Sequence, residues 1–215
     1  MNTLDAIKTR RSCRKYKPQQ VEDEKLVKIL EAGTYAPTGH NTQEPWIVAV
    51  QNPKLLRKLR RMNLHFWNIQ IGKLPADSPL PEDPEEEVEL SAEEVATEVT
   101  EAVEASRSVE SNNIDTYYGA PTIVLVVAEK EKVNAVKDGS LVLGTMMLAA
   151  HELGVGTCWI NREDKMFETA QGKRLMKRFG LPENLVGIGA LALGYWNTIP
   201  KDAKPRKKDY FRIIR

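Results

Sequence analysis

The sequence predicts a mixed α and β fold, and three observations carry that expectation. Four short apolar runs, at 46–51, 122–128, 157–160 and 185–193, read as buried strands. Between them lie stretches whose apolar residues recur three and four positions apart, the spacing of amphipathic helices. One further stretch, Leu141 to Ala150, shows no polar face when wound as a helix; only Thr145, with Ser140 and His151 at its ends, interrupts it. A helix apolar on every side must be covered on every side, and this one is too short for a bilayer, which asks for about 20 apolar residues. It is therefore the central helix of a soluble domain, or a helix shared between a core and a subunit interface. Gly154 and Gly156 then end it and turn the chain into Thr157-Cys158-Trp159-Ile160. A helix–glycine–strand joint of this kind forms a natural rim for a pocket.

The totals narrow the function classes. A chain of 215 residues suits a single domain over 1–215, carrying an acidic insertion at about 72–113. With 31 basic and 30 acidic residues, the net charge of +1 supplies no global drive toward nucleic acid or membrane. Cys13 and Cys158 lie far apart with no CxxC or His–Cys cluster, which argues against a zinc site or a disulfide scaffold. The first residues show no apolar signal segment, so a reduced, cytoplasmic setting is expected.

Taken in order, Thr3 to Thr9 forms a first helix with Leu4 and Ile7 inward, and leads into Arg10-Arg11-Ser12-Cys13-Arg14-Lys15-Tyr16-Lys17. Five cations and a hydroxyl in these eight residues either converge on an anion such as a phosphate or form a solvated basic turn. Asp23 to Tyr35 is an amphipathic helix with Leu26, Ile29, Leu30 and Gly33 inward and acids at its dipole-favoured start. It ends in Ala36-Pro37-Thr38-Gly39-His40-Asn41-Thr42-Gln43-Glu44-Pro45, a polar, irregular loop of the type that presents binding groups or simply connects. Trp46 to Gln51 is a strand covered on both faces, and Pro53 to Met62 a basic helix closed by Asn63 as C-cap.

From Glu82 to Glu110 the chain carries twelve carboxylates against one cation, Arg107, after a proline-rich start. Ser91 with Glu94 makes a capping box, so an acidic helix is expected there, as a solvated insertion or a lid. Thr122 to Ala128 is the clearest buried strand. Glu163 to Phe179 is a helix with Phe167, Ala170, Leu175 and Met176 inward, and Leu185 to Leu193 the last core strand. The tail from Pro200 to Arg215 is basic, so cationic segments stand at both ends of the chain; if both close on one site, a phosphate is the guest.

Six motifs together resemble the nitroreductase family of FMN-dependent oxidoreductases. They are Arg10-Arg11-Ser12-x-Arg14, Ala36-Pro37-Thr38-Gly39-x-Asn41-x-Gln43, Tyr118-Gly119-Ala120-Pro121-Thr122, Asp138-Gly139-Ser140, Gly154-x-Gly156-x-Cys158-Trp159-Ile160 and Pro205-Arg206-Lys207. Their order and distances span the chain apart from the acidic insertion. The resemblance implies an α+β fold with a central, mostly antiparallel sheet flanked by helices, and an intertwined homodimer with FMN sites at its interface. It implies that Arg10, Ser12 and Arg14 hold the FMN phosphate, ribityl chain and pyrimidine edge, with Arg11 in the same motif. Arg206 and Lys207, with Lys204 behind them, match the C-terminal cations on the phosphate. Pro37, Thr38, Gly39 and Asn41 match a loop that lies along the flavin from the partner subunit. Asn63 falls where the family places an amide against the pyrimidine, and Cys158, Trp159 and Ile160 match a strand whose backbone borders the ring.

The activity so implied is ping-pong hydride transfer from NADH or NADPH to a small-molecule acceptor such as a nitroaromatic or quinone. Arg14 then supplies charge near the flavin, and no side chain acts as nucleophile or base. Cys158, in an apolar strand, is read as packing. A different class of function, a non-catalytic flavin- or partner-binding module using the acidic insertion, remains the alternative.

Overall fold

A computed structural model describes residues 2–82, 114–198 and 200–215. The acidic run with its capping box falls outside the described residues. The helices are α1 (Thr3–Thr9), α2 (Asp23–Thr34), α3 (Pro53–Gln70), α4 (Ala135–Glu152), α5 (Glu163–Glu168) and α6 (Ala170–Arg178), with a 3-10 turn at Gly39–Asn41. The strands are β1 (Trp46–Val50), β2 (Thr122–Glu129), β3 (Gly156–Ile160) and β4 (Leu185–Gly194). They pair in the order β1-β2-β4-β3, antiparallel throughout. Among the described residues no helix is long and apolar enough to cross a membrane.

Burial of β2 organises the layers. Every residue from Thr122 to Ala128 is buried, so both sheet faces need cover. On one face Ile123, Leu125 and Val127 share a core with Leu59 and Met62 of α3, Phe167 of α5 and Leu175 of α6. On the other, Val124, Val126, Leu191 and Leu193 pack with Ile29 of α2 and Val142, Leu143 and Met146 of α4. The result is a three-layer α+β sandwich with its antiparallel sheet in the middle.

Several elements differ from the sequence expectation. β1 is an edge strand, and Trp46 is 47% exposed because nothing pairs outside it among the described residues. α3 does not stop at Asn63 but runs on to Gln70, because the Asn63 side chain turns into the protein instead of capping the helix. The expected helix from Glu163 to Phe179 breaks at Thr169, whose backbone is extended. The Thr169 hydroxyl accepts from Gly172 N at 3.0 Å and so starts α6 as its N-cap. The break leaves Ala170 exposed rather than inward. On α1 it is Ala6 that is buried, while Leu4 and Ile7 face outward. α4 is covered on one side only: Val142, Leu143 and Met146 are buried, but Leu141 is 47% exposed.

The β2–β4 register shifts between Val126 and Val127, a bulge that places Gly187 beneath the start of α5. A Cβ on Gly187 would lie 2.4 Å from the Glu163 carbonyl carbon and oxygen, so only glycine allows that helix start to rest on β4. Substituting Gly187→Ala is expected to destabilise the protein by about 2 kcal/mol, roughly 4–8 °C in Tm, measured by thermal unfolding.

Candidate functional site

The basic segment after α1 is fastened to the free edge of β3. Ser12 bridges Thr157 in parallel, and Cys13 N donates to Thr157 O at 2.8 Å. Cys13 is fully buried, and Lys17 N donates to Tyr195 O at 2.8 Å, so the segment is held at both ends. Thr9 Oγ1 lies 2.8 Å from His151 Nε2, which pins the start of the segment to the C-terminal end of α4. Beyond the Ser12–Thr157 bridge, no described strand pairs with the outer edge of β3.

Arg10, Arg11 and Arg14 gather on this segment. Arg10 Nη1 and Arg11 Nε are buried donors with no hydrogen-bond partner, a costly arrangement that an anion would relieve. Burial is the main cause of a lowered Arg10 pKa; Arg11 and Arg206 add to it, while the nearby Cys158 opposes them. Of the tail cations, Arg206 is near enough to Arg10 to repel it. Lys207 instead lies over the Tyr210 ring at 5.1 Å, on the exposed tail. His151 is held below its ordinary pKa, first by burial and then by Arg10. Arg11 spends its other nitrogens on Arg10 O and Lys8 O, so one buried nitrogen of each arginine is left to fit a phosphate monoester such as that of FMN.

Cys158 and Ile160 point into the core on the α3 side, whereas Trp159 packs toward α4. What β3 offers a ligand is therefore backbone. Burial raises the Cys158 pKa, although Arg14, a Ser12 hydrogen bond and Arg10 pull it down. The raised pKa keeps the thiol protonated, in keeping with packing rather than chemistry. Arg14 is exposed, with its guanidinium 5.8 Å from the centroid of the Tyr118 ring.

The loop carrying Pro37, Thr38, Gly39 and Asn41 is strained and tied down. His40, Asn41 and Gln43 all have positive φ, at 54°, 55° and 51°. Such conformations persist in non-glycine residues only where the surroundings enforce them, and they gather at functional sites. Here Gly39 N donates to the buried Asp138 carboxylate at 3.0 Å, Gln43 N to Thr38 Oγ1 at 3.0 Å, and Lys132 pairs with Glu44 at 2.9 Å. Asp138 stands in the first turn of α4 and His151 in its last. At 1.5 Å per residue the loop and the Arg10 cluster are about 20 Å apart along that helix. One chain does not bring them together.

Asn63 does not join the cluster either. It is fully buried; its amide donates to Asn161 O at 2.9 Å and Glu163 Oε1 at 3.2 Å. Its oxygen accepts from Arg162 Nε at 3.1 Å and Nη2 at 3.0 Å. Arg162 itself is left-handed, with φ 88°, and its guanidinium stacks on Trp67 at 5.1 Å. Glu163 Oε1 also accepts from Tyr117 OH at 2.9 Å, while Glu163 Oε2 is buried without a partner. The network locks the corner where β3 leaves the sheet. Sequence reading missed Arg162 and Glu163: an arginine in place of glycine gives no turn signal, and an acid at a helix start looks solvated. Asp138 was detectable as an acid inside an otherwise apolar helix.

Fold and cluster together define an α+β protein with a group of arginines at the outer edge of its sheet. The pattern of the nitroreductase family matches residues 7–195, and the chain belongs to that family. A protein of Archaeoglobus fulgidus, provisionally named an NADH dehydrogenase/NAD(P)H nitroreductase, is 28% identical over 211 residues, covering 94% of this chain and 87% of its own. A protein of Methanothermobacter thermautotrophicus with the same provisional name is 25% identical over 201 residues, covering 91% and 78%. A solved nitroreductase with bound FMN from Bacteroides fragilis superimposes with a TM-score of 0.73 at 28% identity, over 100% of both chains.

Burial raises the Glu163 pKa from 4.5 to about 7; its own backbone amide, Tyr117 and Arg162 pull it back, and Asp164 adds to the rise. The folded state therefore keeps a proton that the unfolded chain releases. The stability this group contributes is complete below about pH 4.5 and is lost as pH rises through about 7. Urea titrations from pH 5 to pH 8 should show that decline, at most about 3 kcal/mol, and Glu163→Gln should flatten it.

Proposed function

We propose that this chain is an FMN-dependent NAD(P)H oxidoreductase that acts as a cytoplasmic homodimer, reducing a nitroaromatic, quinone or similar small acceptor by a ping-pong route. The proposal takes 1–215 as one domain with an acidic insertion. The observation that carries it is the pair of buried donors without partners, Arg10 Nη1 and Arg11 Nε, on the segment bridged to the edge of β3. Family membership and the FMN-bound relative from Bacteroides fragilis support the same ligand.

Bound FMN supplies a centre that accepts hydride and passes electrons on, so the protein itself needs no nucleophile. Arg10, Arg11 and Arg206 would neutralise the phosphate, and Lys207 would join them only on leaving the Tyr210 ring. Ser12 would meet the ribityl chain, and the exposed Arg14 would place positive charge at the pyrimidine edge. The unpaired edge of β3 at Cys158, Trp159 and Ile160 would offer backbone donors and acceptors to the ring. Asn63, spent on the corner network, acts on the site by holding that strand's end. The loop with Pro37, Thr38, Gly39 and Asn41 would come from the second chain.

A second copy also accounts for apolar surface left open. Leu141 and Val136 on α4, Leu4 and Ile7 on α1, and Tyr210, Phe211, Ile213 and Ile214 on the tail are all exposed. Monomers seldom leave so much large apolar surface uncovered.

The purified protein should be yellow, and anaerobic NADH or NADPH should bleach it. A colourless protein that takes up no added FMN would refute the reading and turn attention to the acidic insertion. Arg14→Ala should weaken FMN retention and lower the flavin potential; an unchanged potential in the FMN-saturated variant would remove Arg14 from this role. Light scattering should give twice the 24.3 kDa of one chain. Leu141→Glu should shift that mass toward the monomer and release flavin with it.

A further inference from the structure

Tyr118 has no place in either core, yet it is the most constrained aromatic residue outside them. Its φ is +60°, and the next residue, Gly119, has φ +70°. A turn that needs left-handed backbone ordinarily takes glycine or asparagine, and a bulky residue there is strained. The surroundings enforce the conformation at several points. Asp115 accepts from three successive amides: Tyr117 N at 2.8 Å and Gly119 N at 2.7 Å on its carboxylate, and Tyr118 N at 3.0 Å on its carbonyl. Arg60 of α3 pairs with that carboxylate at 3.2 Å and donates to Ala120 O at 2.7 Å. Next to it, Tyr117 is fully buried, with its hydroxyl on Glu163. With its neighbour anchored inside, the left-handed turn sends the Tyr118 ring outward, where it is 37% exposed and meets Arg14.

We propose that Tyr118 is a positioning residue for the Arg14 guanidinium, holding it over the site by its ring. The inference rests on the flavin role given to Arg14 above. Arg14 follows a segment pinned by Cys13, but its own side chain is exposed and four torsions long, so without a partner it would sample many rotamers. Tyr118 supplies that partner. A guanidinium within about 6 Å of an aromatic ring gains cation–π attraction, and Arg14 lies 5.8 Å from the Tyr118 centroid. The strained turn thus serves the site by fixing a charge, and Asp115 and Arg60 sustain it from behind.

The test is a double-mutant cycle. Tyr118→Phe removes the phenol oxygen and keeps the ring; Tyr118→Leu removes both. Each is combined with Arg14→Ala, reading FMN affinity by fluorescence quenching and flavin potential by dye equilibration. Tyr118→Leu should weaken FMN binding roughly fivefold and lower the potential, whereas Tyr118→Phe, which keeps the ring, should change both little. In the Arg14→Ala background both tyrosine changes should have almost no further effect, because their route runs through Arg14. Losses that simply add, or a potential that Tyr118→Leu leaves in place, would overturn the proposal. Should the wild-type protein take up no FMN, the flavin reading fails by itself, and the contact is read from the Arg14 Nε–H resonance. A ring-current shift abolished by Tyr118→Leu upholds the positioning; a resonance that Tyr118→Leu leaves unmoved ends it.

Discussion

The pairing of β2 with β4 is the constraint on which the rest of the structure depends. Both strands sit inside the sheet, and from Thr122 to Ala128 β2 exposes nothing on either face. Burial on two faces demands two helical layers, α3, α5 and α6 on one side and α2 and α4 on the other. The middle of the sandwich is thereby closed to polar chemistry. Charged and strained groups lie instead at its margins: the outer sheet edge where Ser12 meets Thr157, the two ends of α4, and the turns at Tyr118 and Arg162.

That division explains what could be read from the sequence. β2 and β4 were legible because burial on both faces writes itself as an unbroken apolar run. α2 was legible from Leu26 and Ile29, which fall on one helical face. The cations at 10–14 and the loop at 37–41 stood out as polar clusters next to regular elements. The Asn63 end of α3 was misread because an asparagine that caps and one that enters a buried network are the same letter. The break at Thr169 hid for a similar reason: periodicity in Phe167, Leu175 and Met176 survives a change of helix. Tyr118 and Arg162 gave no sign of their left-handed backbone, since surrounding contacts, not their own preference, impose it.

The corner at the end of β3 joins two kinds of stabilisation in one place. Gly187 lets α5 rest directly on β4, and the same contact drives Glu163 into a fully buried position. A carboxylate there is tolerable because Tyr117 and Asn63 donate to one of its oxygens, while burial favours its neutral form near pH 7. Asn63 in turn ties Arg162 into the same set, so the strand's exit angle, the helix start and α3 move as one unit. A polar network this enclosed contributes uniqueness of geometry more than net stability.

The length of α4 has a consequence of its own. With the strained loop moored at its first turn and the Arg10 cluster at its last, the helix acts as a spacer that no small molecule can bridge. In the proposed dimer, a subunit damaged at one end and a subunit damaged at the other would rebuild one whole site and leave one ruined. About a quarter of the capacity would return on mixing equal amounts of two inactive preparations, since half the dimers would be mixed and each would hold one whole site. The two ends of α4 would then answer to selection as parts of different sites, inherited together on one chain but exercised apart.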